Sequence, residues 1–470
     1  MNEYVSPLSN RYGSDDIKYI WSEQNKIMTW RHLWCVLAET QKELGIDIIT
    51  DNQIKEMKDA VTKIDFSAIQ NYESKTKHDV VANIHAFGAV ATDAEPIIHL
   101  GATSQFVVDN AESIMVRDSL TKLIIKVALV IDSLANFSLT NAGLPTVGLT
   151  HLQPAQPTTV GKRTTMWIQD FVTTIEDLGF RLDKIKFRGA KGTTGTQASF
   201  LSLFDGDAEK VQTMDEMIAS KLGFGQSNLV KITGQTNPRI NDATLISSVC
   251  LIASAASKFA NDIRILSSKR EISEGFDLNN QVGSSAMAYK QNPIICEKIC
   301  SLSRYLISLV QNPYHTAANQ WMERTLDDSA NKRLLLPEVF IIADEILDSV
   351  FEVVNNMVVN TDMVHKHYKE ELPFFITENV VIEAVKKNGV DRQVAHEEIR
   401  KLAIDAKGRV NAGKTNNLVY RISRKKIFKD INVKDMLDLK YTGLAEEQTK
   451  WYIQNIVEPI RQLYLSMFYN

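Results

Sequence analysis

Apolar residues recur at alternating intervals of four and three over stretches long enough to require a bundle of long helices. After Asp109-Asn110-Ala111-Glu112, which reads as an N-cap with an acid three residues on, the stripe runs Val116, Leu120, Leu123, Val127, Val130, Leu134 and Phe137. Seven such positions span about 30 Å at 1.5 Å per residue. The alternation returns at Trp167, Phe171, Ile175, Leu178, Leu182 and Ile185, and at Leu245, Val249, Ile252, Ala256, Phe259, Ile263 and Leu266. A further copy runs through Leu335, Val339, Ile342, Ile346, Val350, Val353 and Met357, and a shorter one through Ile295, Ile299, Leu302, Leu306 and Val310. Helices of this kind pack up-and-down at crossing angles near ~20°. Strand signal is almost absent. The expected fold class is therefore all-α: a long central helical bundle at 109–358, an N-terminal helical domain at 1–108 and a C-terminal helical domain at 359–470.

Several stripes are apolar on more than one face, as at Leu123-Ile124-Ile125 and Val127 through Ile131. A helix apolar nearly all round must be buried on all sides. One bundle cannot bury every helix so, and an oligomer is expected. With 44% hydrophobic and 23% charged residues the composition is that of an ordinary globular chain. A net charge of −4 suggests no nucleic-acid partner. No uninterrupted apolar run approaches the ~20 residues of a membrane span, and the N-terminus lacks the apolar core of a secretory signal. Cys35, Cys250, Cys296 and Cys300 form no CxxC pair or zinc spacing. A soluble, cytoplasmic chain is expected.

The connections between stripes carry the chemistry. Residues 282–293, VGSSAMAYKQNP, have little bulk to pack; small residues let a loop move and let backbone N–H groups approach a ligand. A polar linker would have the same composition. HLGATS at 99–104, THLQPAQP at 150–157, KGTTGTQ at 191–197 and the charged run from Glu323 to Arg333 are similarly rich in hydrogen-bonding groups. Each has a plain structural explanation. KGTTGTQ lacks the GxxxxGK[ST] spacing and a preceding strand, so no nucleotide P-loop is expected. His151 beside two prolines would serve as a helix cap, and Arg324 and Arg333 as surface partners of Asp327 and Asp328. His78 and His85 share a helix face, but no third ligand stands at suitable spacing and no metal is expected.

Taken in order, HDVVANIHAFG, IIHLGATS, THLQPAQPTTVGKR, FRGAKGTTGTQASF, ITGQT and QWMERTLDDSANKR resemble the adenylosuccinate lyases, in the form found in animals. GSSAMAYKQNP resembles the GSSxMPxKxNP signature of the wider fumarase/aspartase superfamily. Similarity runs from Ser6-Pro7-Leu8 and Arg11-Tyr12 to beyond Glu371-Leu372-Pro373-Phe374. The resemblance implies a homotetramer with a merged central bundle and active sites built from three subunits. It implies cleavage of adenylosuccinate to AMP and fumarate, and of succinylaminoimidazole-carboxamide ribotide to the carboxamide ribotide and fumarate. Both are steps of purine biosynthesis, and neither calls for a cofactor.

A β-elimination of this type needs a base for a carbon-bound proton next to a carboxylate. It needs donors for the charge that then develops, and an acid for the leaving nitrogen. By resemblance His151 is the acid and Ser284 the base, with His78 an alternative or assistant acid. The chemistry of the loop alone leaves Ser285 open as the base. Lys290 and Asn292 would hold the succinyl carboxylates, with Thr103 and Ser104 adding hydroxyls. Arg11, Tyr12, Arg324, Ser329 and Arg333 carry over as the nucleotide end, suited to a phosphate dianion. Lys77, Asp79, Gln235 and Lys298 match further substrate contacts. Departures from the pattern are Ala288 for proline, Gln291 for arginine, and Lys77 and Lys298 for arginines. A sister lyase such as argininosuccinate lyase or fumarase would need no phosphate clamp, and a structural relative would need neither His151 nor Ser284.

Overall fold

The computed structural model of the chain describes residues 2, 4–277, 280–438 and 441–465 and is predominantly helical. Long helices occupy the expected stripes: Ser104–Thr140, Val160–Lys184, Ile240–Ser268, Ile294–Ser308 and Asp328–Asn356. The stripe residues are the ones that leave water: Leu120, Leu123, Val127, Val130, Leu134, Val249, Ile252, Phe259, Val339, Ile342 and Ile346 are fully buried. Burial of a large aliphatic side chain is worth about 1.5–3 kcal/mol, so these stripes dominate the stability of the helices that carry them. By length and composition alone, Ser104–Thr140 and Ile240–Ser268 are apolar enough to cross a membrane. Within their most apolar windows 50% and 67% of residues are buried inside the chain.

Two local readings need correction. The first long helix starts at Ser104, five residues before Asp109, and Asp109 is no cap. Its side chain is buried and ion-paired with Arg239. Secondly, THLQPAQP does not cap a helix. Pro145–Thr150 and Gln153–Thr159 form an antiparallel hairpin with an irregularity between Val147 and Leu149. Pro154 and Pro157 sit in it because a two-stranded sheet is all edge, where a missing N–H costs no ladder bond. Pro373 lies inside the helix Thr361–Asn388, which runs on until Gly389 closes it with φ 63°.

The chain divides into two compact units. One comprises Met1–Val127, Thr173–Ser257 and Ile299–Ser349, the other Ala128–Val172, Lys258–Lys298 and Val350–Asn470. The first has a core around Trp34, Phe87, Phe106, Phe187 and Phe200, with Trp34 stacked on Phe87 at 5.9 Å between ring centroids. In the second, Val147 of the hairpin packs with Phe375 and Ile376 of Thr361–Asn388 and with Ile399 and Leu402 of Arg392–Asn411.

Candidate active site

In the second unit, the serine loop is closed by a carboxylate. Glu274, 3% exposed, accepts the backbone N–H of Ile295 at 3.0 Å and of Cys296 at 2.8 Å, capping the helix Ile294–Ser308 that ends the loop. Inside it, Ser284 Oγ accepts two backbone N–H groups, Ala286 at 3.3 Å and Met287 at 3.1 Å. Among the described residues Ser285 Oγ receives none, and it is exposed where Ser284 is half-buried. Asn292 Nδ2 donates to the Gly283 carbonyl at 3.0 Å across the loop. A Cβ on Gly283 would collide with the Lys290 carbonyl, so this approach requires glycine. Lys290 is exposed, and among the described residues its ammonium makes no bond to Ser284. Lys298 lies half-buried on the helix that follows.

His151 occupies the tip of the hairpin. Thr150 pairs with Gln153, leaving His151 and Leu152 as a two-residue turn with φ 53° and 56°. Such turns need positive φ at both central residues and favour Asn-Gly. Two non-glycine residues there cost of order 1 kcal/mol each. The hairpin base is held by Arg163 Nη2, which donates to the Val147 carbonyl at 2.6 Å, and by Gln156 bonded to Glu378. A cleft of about 540 Å³ adjoins the hairpin, lined by Thr150, Leu152, Gln156, Arg163 and Lys258.

The remaining candidates lie in the first unit. Lys77 ends the helix Phe66–Thr76 in left-handed geometry, and His78 caps the helix Asp79–Gly88, its Nδ1 accepting Val81 N–H at 3.4 Å. That bond leaves His78 Nε2 to donate to Ser104 Oγ at 3.3 Å. Asp79 binds Arg333 Nη2 at 2.8 Å. Gln235 Nε2 lies 3.5 Å from Thr103 Oγ1, and its backbone N–H donates to the Glu323 carbonyl at 3.0 Å. Arg324, 13% exposed, reaches Asp328 Oδ1 with Nη2 at 3.6 Å. Its Nη1 is buried without an acceptor among the described residues. Ser329 stands in the first turn of Asp328–Asn356. Arg11 and Tyr12 end and follow the helix Pro7–Arg11. The next two residues are pinned, Gly13 N–H to Glu345 at 2.9 Å and Ser14 N–H to Asp344 at 2.7 Å. His85, by contrast, stacks on Tyr72 at 5.4 Å.

A common feature links these segments. His78, Ser104, Asn292 and Ser329 each sit at or within two residues of the start of a helix. Helix N-termini offer unpaired N–H groups and a positive end to the backbone dipole, which favours anions. The hairpin and the Glu274 clasp gave no sequence signal of their own, since a lone buried acid looks like any other. The start of KGTTGTQ is packed into the fold: Lys191 pairs with buried Asp215, and Arg188 Nη2 donates to the Gly192 carbonyl at 2.7 Å, while Thr193, Thr194 and Thr196 are exposed. Burial lowers the Arg188 pKa to about 10 and raises the Cys35 thiol to about 12, which leaves Cys35 inert.

A protein-family model described as Lyase matches residues 11–307. The chain is 43% identical over 471 residues to the adenylosuccinate lyase of Schizosaccharomyces pombe, covering 99% of this chain and 97% of that one. Against the adenylosuccinate lyase of Saccharomyces cerevisiae it is 41% identical over 475 residues, covering 99% and 98%. Among solved structures, the 3-carboxy-cis,cis-muconate lactonizing enzyme from Pseudomonas putida matches with a TM-score of 0.82 at 19% identity. The match covers 96% of this chain and 99% of that one, a likeness of fold.

Proposed function

Because the chain belongs to the adenylosuccinate lyase family, we propose that Ser284 and His151 are the base and the acid of its elimination reaction. The chain is a carbon–nitrogen lyase of purine biosynthesis. It releases fumarate from adenylosuccinate, leaving AMP, and from succinylaminoimidazole-carboxamide ribotide, leaving the carboxamide ribotide.

The observation that carries the proton-transfer reading is the pair of N–H donors on Ser284 Oγ. A serine hydroxyl is a poor base unless its alkoxide is stabilised, and converging N–H groups do so at no reorganisation cost. Proton abstraction by Ser284 puts a second negative charge on the adjoining carboxylate, which Lys290, Asn292, Thr103 and Ser104 take up. His151, exposed at the hairpin tip, then protonates the departing nitrogen, with His78 as an assistant. Arg324 supports the phosphate reading, because a desolvated Nη1 without an acceptor suits a group whose partner arrives with an anion. Arg11, Tyr12, Ser329 and Arg333 complete that end, and Lys77, Asp79, Gln235 and Lys298 make further contacts.

The chain assembles as a homotetramer with active sites shared between subunits. Half of the most apolar window of Ser104–Thr140 stays unburied in one chain, which supports this. Four free, buried cysteines accord with a cytoplasmic location. Fumarate release from adenylosuccinate, followed by absorbance, tests the activity, and a substrate panel including argininosuccinate and malate excludes a sister lyase. Mixing inactive His151→Ala and Ser284→Ala proteins should restore activity. No recovery after demonstrated subunit exchange would sink the shared site.

A further inference from the structure

We propose that Arg239 is a positioning residue for the phosphate-binding end of the site: one buried guanidinium fixes the segments that carry Thr103 and Ser104, Gln235, and Arg324 with Ser329. The Arg239 side chain is 4% exposed and forks between two carboxylates, with Nη1 2.9 Å from Asp109 Oδ1 and Nε 2.7 Å from Asp328 Oδ2. Asp109 belongs to the helix that Ser104 begins. Its other oxygen accepts the Asn237 N–H at 2.6 Å, two residues from Gln235. Asp328 begins the helix that carries Ser329, and its other oxygen faces Arg324 Nη2 at 3.6 Å.

Each segment is thus tied through the same fork. A planar guanidinium holds two carboxylates at a fixed separation, which an ammonium cannot do. A second ion-paired set lies on the same helices: buried Lys332 is 2.8 Å from half-buried Glu112 and 3.0 Å from half-buried Asp242. Burial opposes the Arg239 charge, but Asp109, Asp242, Glu112 and Asp328 outweigh it and raise its pKa. None of these groups is assigned a substrate contact, so their effect on binding must pass through Arg324, Gln235 and the hydroxyls.

The proposal rests on reading Arg324 as a phosphate ligand, and the experiment separates the two. It is a double-mutant cycle on the full chain, read as AMP inhibition against adenylosuccinate together with a melting curve. Arg239→Lys is expected to fold and to weaken AMP on the order of tenfold, with a smaller change in kcat. In an Arg324→Ala background the same substitution is expected to change AMP affinity little, because the group it positions is gone. Equal factors in both backgrounds, or no loss of AMP affinity in folded Arg239→Lys, overturn the proposal and leave the phosphate clamp standing. If Arg324→Ala alone leaves AMP affinity unchanged, the clamp fails and this proposal with it. Should Arg239→Lys not fold, Asp328→Asn keeps the side-chain shape and the same outcomes decide the cycle.

Discussion

The Glu274 carboxylate caps Cys296, accepting its backbone N–H at 2.8 Å, so that one buried side chain joins the two ends of the loop carrying Ser284. Both N–H groups it accepts belong to the first turn of Ile294–Ser308, where a negative charge also complements the helix dipole. Hydrogen bonds to a charged group are worth about 1.5–3 kcal/mol. Glu274→Ala is therefore expected to lower stability by about that amount. Glu274→Gln should fold and bind AMP normally yet turn over more slowly, since only the placement of the loop is loosened. Unchanged kcat in Glu274→Gln would show that the clasp serves the fold alone.

The adjacent serines give the sharpest comparison. With Ser284 as the proposed base, Ser284→Ala should bind substrate nearly normally while losing turnover. A loss of at least ~10²–10⁴-fold is typical of a positioned base. Ser285→Ala, whose hydroxyl receives neither of the two N–H donors, should lose much less. Single-turnover rates and substrate affinities for both variants decide it. A dead Ser285→Ala beside an active Ser284→Ala reverses the assignment.

At the nucleotide end, Arg324→Ala and Arg333→Ala should weaken AMP as well as substrate, because both carry the phosphate. A charge-assisted bond of ~1.5–3 kcal/mol corresponds to roughly 10- to 150-fold in affinity. Arg324 should show the larger effect. Arg333 is 63% exposed at its side chain and already paired with Asp79, so solvent and Asp79 both screen it. Titration of AMP against each variant checks the order; equal affinities to the unaltered chain would assign both arginines to the fold.

The long helices were legible because a 3.6-residue period repeats over many turns, and each added turn strengthens the same signal. Thr103, Ser104, Asn292 and Ser329 were legible as polar residues at breaks in that period. The boundary at Asp109 was misread because an Asp-x-x-Glu run satisfies a local capping pattern. Its true partner, Arg239, lies 130 residues away and leaves no local trace. The hairpin was hidden for a related reason. Its turn uses His151 and Leu152 in a conformation that sequence normally marks with Asn-Gly, and its strands contain prolines. Strained geometry at a candidate catalytic residue is where local sequence rules are expected to fail.

The pH dependence of stability offers an independent check on the polar core of the first unit. Trp34 Nε1–H donates to His99 Nδ1 at 2.8 Å, so this nitrogen must stay unprotonated. Burial, and secondarily the charge of His78, lowers the His99 pKa from 6.5 to about 4. Because the folded value lies below the unfolded one, the unfolded chain binds the proton first. The contribution of His99 is full above pH 6.5 and is lost as the pH falls from there to about 4. The shift corresponds to roughly 3 kcal/mol. His99→Asn retains an acceptor near the Nδ1 position and tolerates the positive φ of 69° found there. Denaturant midpoints between pH 7 and 4.5 should therefore fall more steeply for the unaltered chain than for His99→Asn. Parallel curves would mean that His99 accepts a proton in the folded state and that the bond from Trp34 does not fix its charge.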